Sequence, residues 1–190
     1  ADEGARVRVL TSTKAASPEA RGNAQDVHVH PVVSSWRWRP LYDGLRRLFR
    51  EYDMDVVNIQ YQAAAYAMHP AINLLPRFFP RLPFVVTFHD LLVPYLFPKA
   101  GPLRWWVNAE LADSSRAIIV TNEEDRARLA SDKRISRLVT IPIGSNVPCR
   151  LPENYDRGRW RRRLGLPTTA LVLCYFGFLN ASKGGEELIE

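Results

Sequence analysis

Short apolar runs alternate along this chain with amphipathic stretches. The clearest apolar run, Phe84-Val85-Val86-Thr87-Phe88, is β-branched at its middle. A run of this length that is apolar at nearly every position is typical of a parallel strand buried on both faces. His89 and Asp90 follow directly, at the carboxyl end of the predicted strand. Ligands bind at that edge of open α/β sheets, and a histidine there can exchange a proton near neutral pH or simply cap a turn.

The same alternation of strand and helix continues through the rest of the chain. A stripe of leucines predicts a helix over residues 40–52, and Asn122 before two glutamates predicts the start of another helix. The predicted strands cover residues 6–11, 27–33, 55–61, 84–88, 116–121, 137–141 and 170–178. Further helices are predicted within residues 63–79, over 103–112 and 156–164, and from residue 183 onward. This order predicts an α/β fold with a parallel sheet and helices on both faces.

Charge and composition narrow the classes of function. The chain has 190 residues and a net charge of +6, and only four of its 26 basic residues are lysines. This balance permits contact with nucleotides, phosphates or an anionic membrane surface. Nucleic acid is disfavoured because the arginines are scattered, and the dense cluster at residues 157–163 is predicted to be a solvated helix face. No apolar run approaches the ~20 residues that span a bilayer.

The two cysteines, Cys149 and Cys174, form no metal-binding or redox pattern, and neither a metal nor a cofactor is expected. Cys174 lies in an apolar run, so we predict a buried thiol. A reducing cytosol fits this cysteine usage best. We therefore expect a cytoplasmic protein and leave open a peripheral contact with the inner face of the membrane.

A second segment with chemical character lies near the end of the chain. The strand predicted over residues 170–178 leads through Gly177 to Lys183 and Gly184, where the last helix is predicted to begin. A helix N-terminus with a lysine and neighbouring glycines suits an anion. An ordinary strand-to-helix turn has the same spacing, so these residues alone leave both interpretations open.

Four parts of the chain, taken in order, carry a resemblance to a known family. They are GARVRVLT at residues 4–11, VVTFHD at 85–90, AIIVTNE at 117–123 with IPIGSN at 141–146, and FGFLNASKG at 176–184. They resemble the GT-B fold glycosyltransferases, specifically their large retaining family 4. Each motif is weak alone, but their order and spacing are fairly specific, and the resemblance extends over nearly the whole chain.

The resemblance implies two Rossmann-like domains that face each other. Residues 1–150 would form the N-terminal, acceptor-side domain without its first strand. Residues 151–190 would supply the linker, a helix and the first strand, loop and helix of the C-terminal, donor-side domain. The glycine-rich first loop and the paired-glutamate motif of the family do not occur in this sequence. We therefore expect a fragment that is poorly stable and inactive by itself.

The resemblance also implies site residues. His89 would be catalytic and would lie against the donor sugar or its diphosphate. The expected donor contacts are Lys183 and Gly184 at the diphosphate, Gly177 near the nucleotide, and Gly144 and Asn146 along the cleft. Phe178 stands where the family usually has an arginine, so one phosphate-neutralising charge is absent there.

The resemblance also implies candidates for acceptor contacts, at the tip of the strand predicted over residues 55–61 and in the segment that follows it. They are Gln60, Tyr61, Tyr66 and His69. Trp105 and Trp106 are further candidates, although packing in the core or under a loop explains a pair of tryptophans better.

The function that the resemblance implies is transfer of a sugar from a nucleotide-diphosphate sugar to an unknown acceptor with retention of configuration. The acceptor would be a carbohydrate, a lipid-linked sugar or a small molecule. A non-catalytic remnant or a sugar-nucleotide-binding module of the same fold is the alternative, because of Phe178. An epimerase or a flavodoxin-like regulator fits less well, because no G-x-G-x-x-G motif and no acidic phosphoacceptor context are found.

Overall fold

The computed structural model describes residues 4–15, 27–89, 91, 102–144 and 150–174. The chain divides into two compact units, residues 1–144 and residues 145–190. In the first unit the strands are β1 (Val7–Ser12), β2 (Val27–Val33), β3 (Val57–Tyr61), β4 (Phe84–Phe88), β5 (Ala117–Val120) and β6 (Leu138–Thr140). Its helices are α1 (Trp38–Glu51), α2 (Leu75–Phe78), α3 (Pro102–Ser114) and α4 (Glu123–Ala130).

All strand pairings in the described part of the chain are parallel. β1 pairs with β2, and β3, β4, β5 and β6 form a second sheet in that order. Each strand is joined to the next by a helix or a long connection, as a parallel sheet requires. The predicted α/β fold with parallel strands and flanking helices is confirmed, although the strands form two sheets. That this domain lacks its first strand stays a prediction.

β4 lies in the middle of the core, as its apolar sequence predicts. The side chains of Phe84, Val86 and Phe88 are at most 1% exposed, and Thr87 on the other face of the strand is also buried. Helices cover this sheet with apolar side chains. Leu41 and Leu45 of α1 and Leu129 of α4 belong to the same buried cluster. Burial of a strand on both faces explains why its sequence is apolar without alternation.

Residues 63–79 depart from the predicted helix. They form two short 3-10 turns, Ala63–Tyr66 and Ile72–Leu74, and the single-turn helix α2. Pro70 and Pro76 lack the backbone N–H that a continuous helix needs, which explains the interruption. Between the 3-10 turns the backbone of Ala67 and Met68 is left-handed, with φ of 50° and 56°.

The second unit contains the helix α5 (Arg157–Arg163). Asp156 caps it by accepting a hydrogen bond from the Arg159 N–H at 2.5 Å, and Gly165 ends it with a φ of 68°. Residues 170–174, at the start of the last predicted strand, have no assigned secondary structure, and the rest of that strand lies outside the described residues. The prediction of a buried Cys174 is wrong. Its thiol is exposed because no described strand or helix covers this stretch, where Leu171 is 87% exposed.

Candidate functional site

His89 is the first residue after β4, at the carboxyl edge of the four-stranded sheet. Its backbone N–H donates to the carbonyl oxygen of Tyr61 at 3.1 Å, which extends the pairing of β3 with β4 by one residue. Tyr61, Phe88 and Val120 end three adjacent strands in register at this edge. The sequence prediction that β4 delivers a histidine to the edge of the sheet is confirmed at the level of the backbone.

A chain of polar side chains crosses from β3 to β4 and ends at the imidazole. Thr87 Oγ1 donates to Asn58 Oδ1 at 3.1 Å, and Gln60 Nε2 donates to Thr87 Oγ1 at 3.4 Å. Gln60 Oε1 then lies 2.7 Å from His89 Nε2. Because an amide oxygen only accepts, His89 Nε2 must carry the proton of this bond. Nδ1 is therefore the ring nitrogen with the lone pair in the neutral imidazole.

A small pocket lies beside Gln60, beyond the end of β3. Tyr61, Tyr66 and His69 line it, together with the side chains of Asn73 and Asn108. Tyr66 reaches back to the sheet, where its hydroxyl donates to the Gln60 carbonyl oxygen at 2.9 Å. Four of the predicted residues, Gln60, Tyr61, Tyr66 and His89, thus come together, and His69 completes the pocket wall.

The floor of this pocket is a buried polar cluster. The Tyr61 hydroxyl donates to Asn108 Oδ1 at 2.8 Å and accepts from Asn73 Nδ2 at 3.0 Å. Each of the three residues is less than 6% exposed. Burial raises the pKa of Tyr61. Burial, with a smaller contribution from nearby Tyr61, raises the pKa of Tyr66 to about 12, so both hydroxyls stay protonated at neutral pH.

His69 is fixed by contacts on two sides. Its Nδ1 accepts a hydrogen bond from the Ala71 N–H at 3.1 Å, which leaves the proton of the neutral ring on Nε2. The Trp38 indole stands edge-on to the imidazole, with 5.9 Å between the ring centroids. The left-handed residues Ala67 and Met68 come directly before it.

Of the predicted donor contacts, only Gly144 lies within the described residues. Gly144 is exposed, and a side chain built on it would meet no atom within 4 Å. Lys183, Gly184, Gly177 and Asn146 lie outside the residues that the structure describes. Among the described residues, no group of three or more His, Cys, Asp or Glu side chains is arranged to hold a metal ion. Trp105 packs against the core as predicted, and Trp106 is 48% exposed.

Sequence reasoning missed the residues that hold this site from below and from the side. They are Asn73 and Asn108 under the pocket and Thr87 in the polar chain. Asn73 stands between Ile72 and Leu74, and Asn108 stands between Val107 and Ala109. An amide flanked by apolar residues in this way was the available signal, because a buried amide needs partners.

An α/β fold with parallel sheets and polar residues at their carboxyl edge defines the class of Rossmann-like, ligand-binding domains. Within that class, the sequence profile of the glycosyl transferase 4-like domain matches residues 1–144, and the chain belongs to this family. No curated protein matches the chain. In the ranges that the structure describes, every helix is too short or too polar to cross a bilayer.

Proposed function

We propose that this chain carries the acceptor side of a glycosyltransferase that uses a nucleotide-diphosphate sugar and retains the anomeric configuration. Family membership supports glycosyl transfer. The observation that carries the proposal further is His89, held at the carboxyl edge of the sheet by Gln60 at 2.7 Å. Residues 1–150 would form the acceptor-side domain, and residues 151–190 would begin the donor-side domain. Free nucleotide sugars and the cysteine usage favour the cytoplasmic side of the membrane.

His89 acts on the donor in this proposal. The bond from Nε2 to Gln60 fixes the ring, so Nδ1 is the nitrogen that can accept a proton or, when the ring is charged, donate one to an oxygen of the sugar or diphosphate. Catalysis would consist mainly of holding donor and acceptor together and of stabilising the negative charge that develops on the leaving diphosphate. Lys183 is the proposed cation for that charge, and Gly184 would let the backbone approach it.

The pocket beyond β3 is the proposed acceptor subsite. The Tyr66 hydroxyl, whose proton is donated to the Gln60 carbonyl oxygen, can accept a hydrogen bond from a sugar hydroxyl, and the Nε2–H of His69 can donate one. Tyr61 and its two asparagine partners would support these side chains from beneath, because their hydrogen bonds are directed to one another. This division puts acceptor recognition on β3 and the following turns, and donor chemistry on β4.

The experiment is a donor panel with the intact protein. UDP-, GDP- and ADP-sugars are supplied with candidate acceptors, release of the nucleoside diphosphate is measured, and proton NMR of the first product reports its anomeric configuration. We expect release with one donor class and a product with the anomer of the donor. A product with the opposite anomer would refute retention.

A sugar-nucleotide-binding module without transfer is the second candidate, because Phe178 replaces the arginine usual in the family. Calorimetric titration with the same donors separates the two. Binding in the micromolar range without release of the nucleoside diphosphate in any acceptor mixture would establish the binding module and exclude the enzyme.

A further inference from the structure

α4 holds the peptide of Leu91, two residues after His89. The Leu91 N–H donates to Asp125 Oδ2 at 3.3 Å, and the Leu91 carbonyl oxygen accepts from Arg128 Nη1 at 2.9 Å. Asp125 and Arg128 are three residues apart, so they project from neighbouring positions on one face of the helix. The side chain of Leu91 is itself buried in the core, at 2% exposure. Both backbone polar groups of Leu91 and its side chain are therefore fixed by the fold.

The two side chains that hold Leu91 are themselves held in place. Asn122 Nδ2 donates to Asp125 Oδ2 at 2.9 Å, and Asn122 Oδ1 accepts from the Asp125 N–H at 2.8 Å. Arg128 makes a second bond, to Glu124 at 3.3 Å. Asp125 is only 1% exposed, and a carboxylate buried this deeply is costly unless hydrogen bonds compensate it. The helix cap and the Leu91 N–H supply that compensation.

The segment that carries His89 is thus attached on both sides. Before it, the His89 N–H bonds to Tyr61 on β3, and the imidazole bonds to Gln60. After it, the Leu91 peptide bonds to α4. We propose that Asp125 and Arg128 are positioning residues for His89: by fixing the Leu91 peptide they set where the imidazole stands at the edge of the sheet. This inference rests on the proposed role of His89 in transfer.

The test is a double-mutant cycle in the intact enzyme. Arg128 is the residue to change, because its side chain is 36% exposed and Arg128→Met keeps the aliphatic stem. We expect Arg128→Met to lower kcat about 10-fold or more. A shift of a reacting group by about 1 Å can lower the rate by up to about 100-fold. KM for the donor should stay within about twofold, and Arg128→Lys, which keeps a cationic donor, should recover part of the loss.

Arg126→Met is the matched control. Arg126 lies on the same helix, is similarly exposed and pairs with Glu123, but it bonds to Thr140 and not to the His89 segment. We expect its kcat to stay within about twofold of the wild type. Hydrogen exchange adds a readout independent of turnover. The backbone amides of residues 86–91 should exchange faster in Arg128→Met than in the wild type, and at the wild-type rate in Arg126→Met.

The cycle separates positioning from a general structural role. If Arg128 acts through His89, Arg128→Met adds less than a twofold loss in a His89→Ala background. Two results would overturn the inference while the transferase function stands. One is a double variant whose loss of kcat is the product of the losses in the two single variants. The other is a kcat of Arg128→Met equal to that of Arg126→Met. A wild type without transfer overturns the proposed function and this inference with it.

Discussion

At the scale of single residues, Gln60 links the two parts of the candidate site. Its side-chain oxygen accepts a hydrogen bond from His89 Nε2, and its backbone carbonyl oxygen accepts one from the Tyr66 hydroxyl. The histidine that we propose acts on the donor and the pocket that we propose binds the acceptor therefore share one residue on β3. A change at Gln60 would disturb both, which makes the outer residues better targets for mutation.

Tyr66 should make the free energy of unfolding depend on pH in the alkaline range. The pKa of its hydroxyl is about 12 in the folded chain against 10.0 for the free side chain, so the unfolded chain loses this proton first as pH rises. The contribution of the protonated Tyr66 hydroxyl to the free energy of unfolding is therefore fully present below pH 10. It is lost as pH rises through about 12, and the total loss is about 2 kcal/mol. We expect urea unfolding to show a steeper loss between pH 10 and 12 in the wild type than in Tyr66→Phe.

Tyr155→Phe is the control for this alkaline loss. Tyr155 is exposed in the second unit, so its removal should leave the pH profile unchanged. Equal slopes for the wild type and Tyr66→Phe between pH 10 and 12 would contradict the assigned burial of Tyr66.

At the scale of elements, the sequence correctly predicted those strand limits and helix starts that depend on residues close together in the chain. β2 and β4 have their predicted limits, and Asn122 caps α4 as expected. The strand limits follow from the periodicity and length of the apolar runs. The helix cap follows from a hydrogen bond between Asn122 and the N–H three residues later. The buried contacts of Asn73 with Asn108 and of Asp125 with Leu91 join residues more than 30 positions apart. No spacing rule within a single sequence reveals such pairs.

The turn before the pocket stores backbone strain. Ala67 has a left-handed conformation, with φ of 50° and ψ of 31°, which costs an ordinary residue about 1–2 kcal/mol. Glycine adopts this conformation freely but loses more backbone entropy on folding. We expect Ala67→Gly to raise the free energy of unfolding by about 0.5–1 kcal/mol, measured by urea denaturation.

Ala64→Gly is the paired variant in the 3-10 turn just before it. Ala64 is exposed and its backbone φ is not positive, so glycine brings only the entropic cost. It should lower the free energy of unfolding by about 0.5–1 kcal/mol. Changes of the same sign in both variants would rule out backbone strain as the cause.

At the scale of the whole molecule, the described hydrophobic core belongs to the first unit. The buried cluster runs from Val33 to Leu129 and includes every buried position of β4 that is apolar. The family match ends at residue 144, where the first unit also ends. The candidate site on β3 and β4 therefore depends on the stability of this unit.

Phe84 tests the dependence on that core. Its side chain is 1% exposed at the start of β4, and Phe84→Ala should lower the free energy of unfolding by about 3–5 kcal/mol. Phe78→Ala removes the same side chain at a position that is 57% exposed and in contact with Tyr42 and Trp38. Its cost should stay below about 1.5 kcal/mol. Similar costs for the two variants would contradict the assigned core.

The most direct measurement for the whole account is the rate of glycosyl transfer in His89→Ala of the intact protein. His28→Ala is the control, because His28 is exposed on β2 in the other sheet. We predict a loss of about 100-fold or more in kcat for His89→Ala, the usual range for a group that transfers a proton, with an unchanged circular dichroism spectrum. His28→Ala should keep full activity. A folded His89→Ala variant as active as His28→Ala would contradict the central claim.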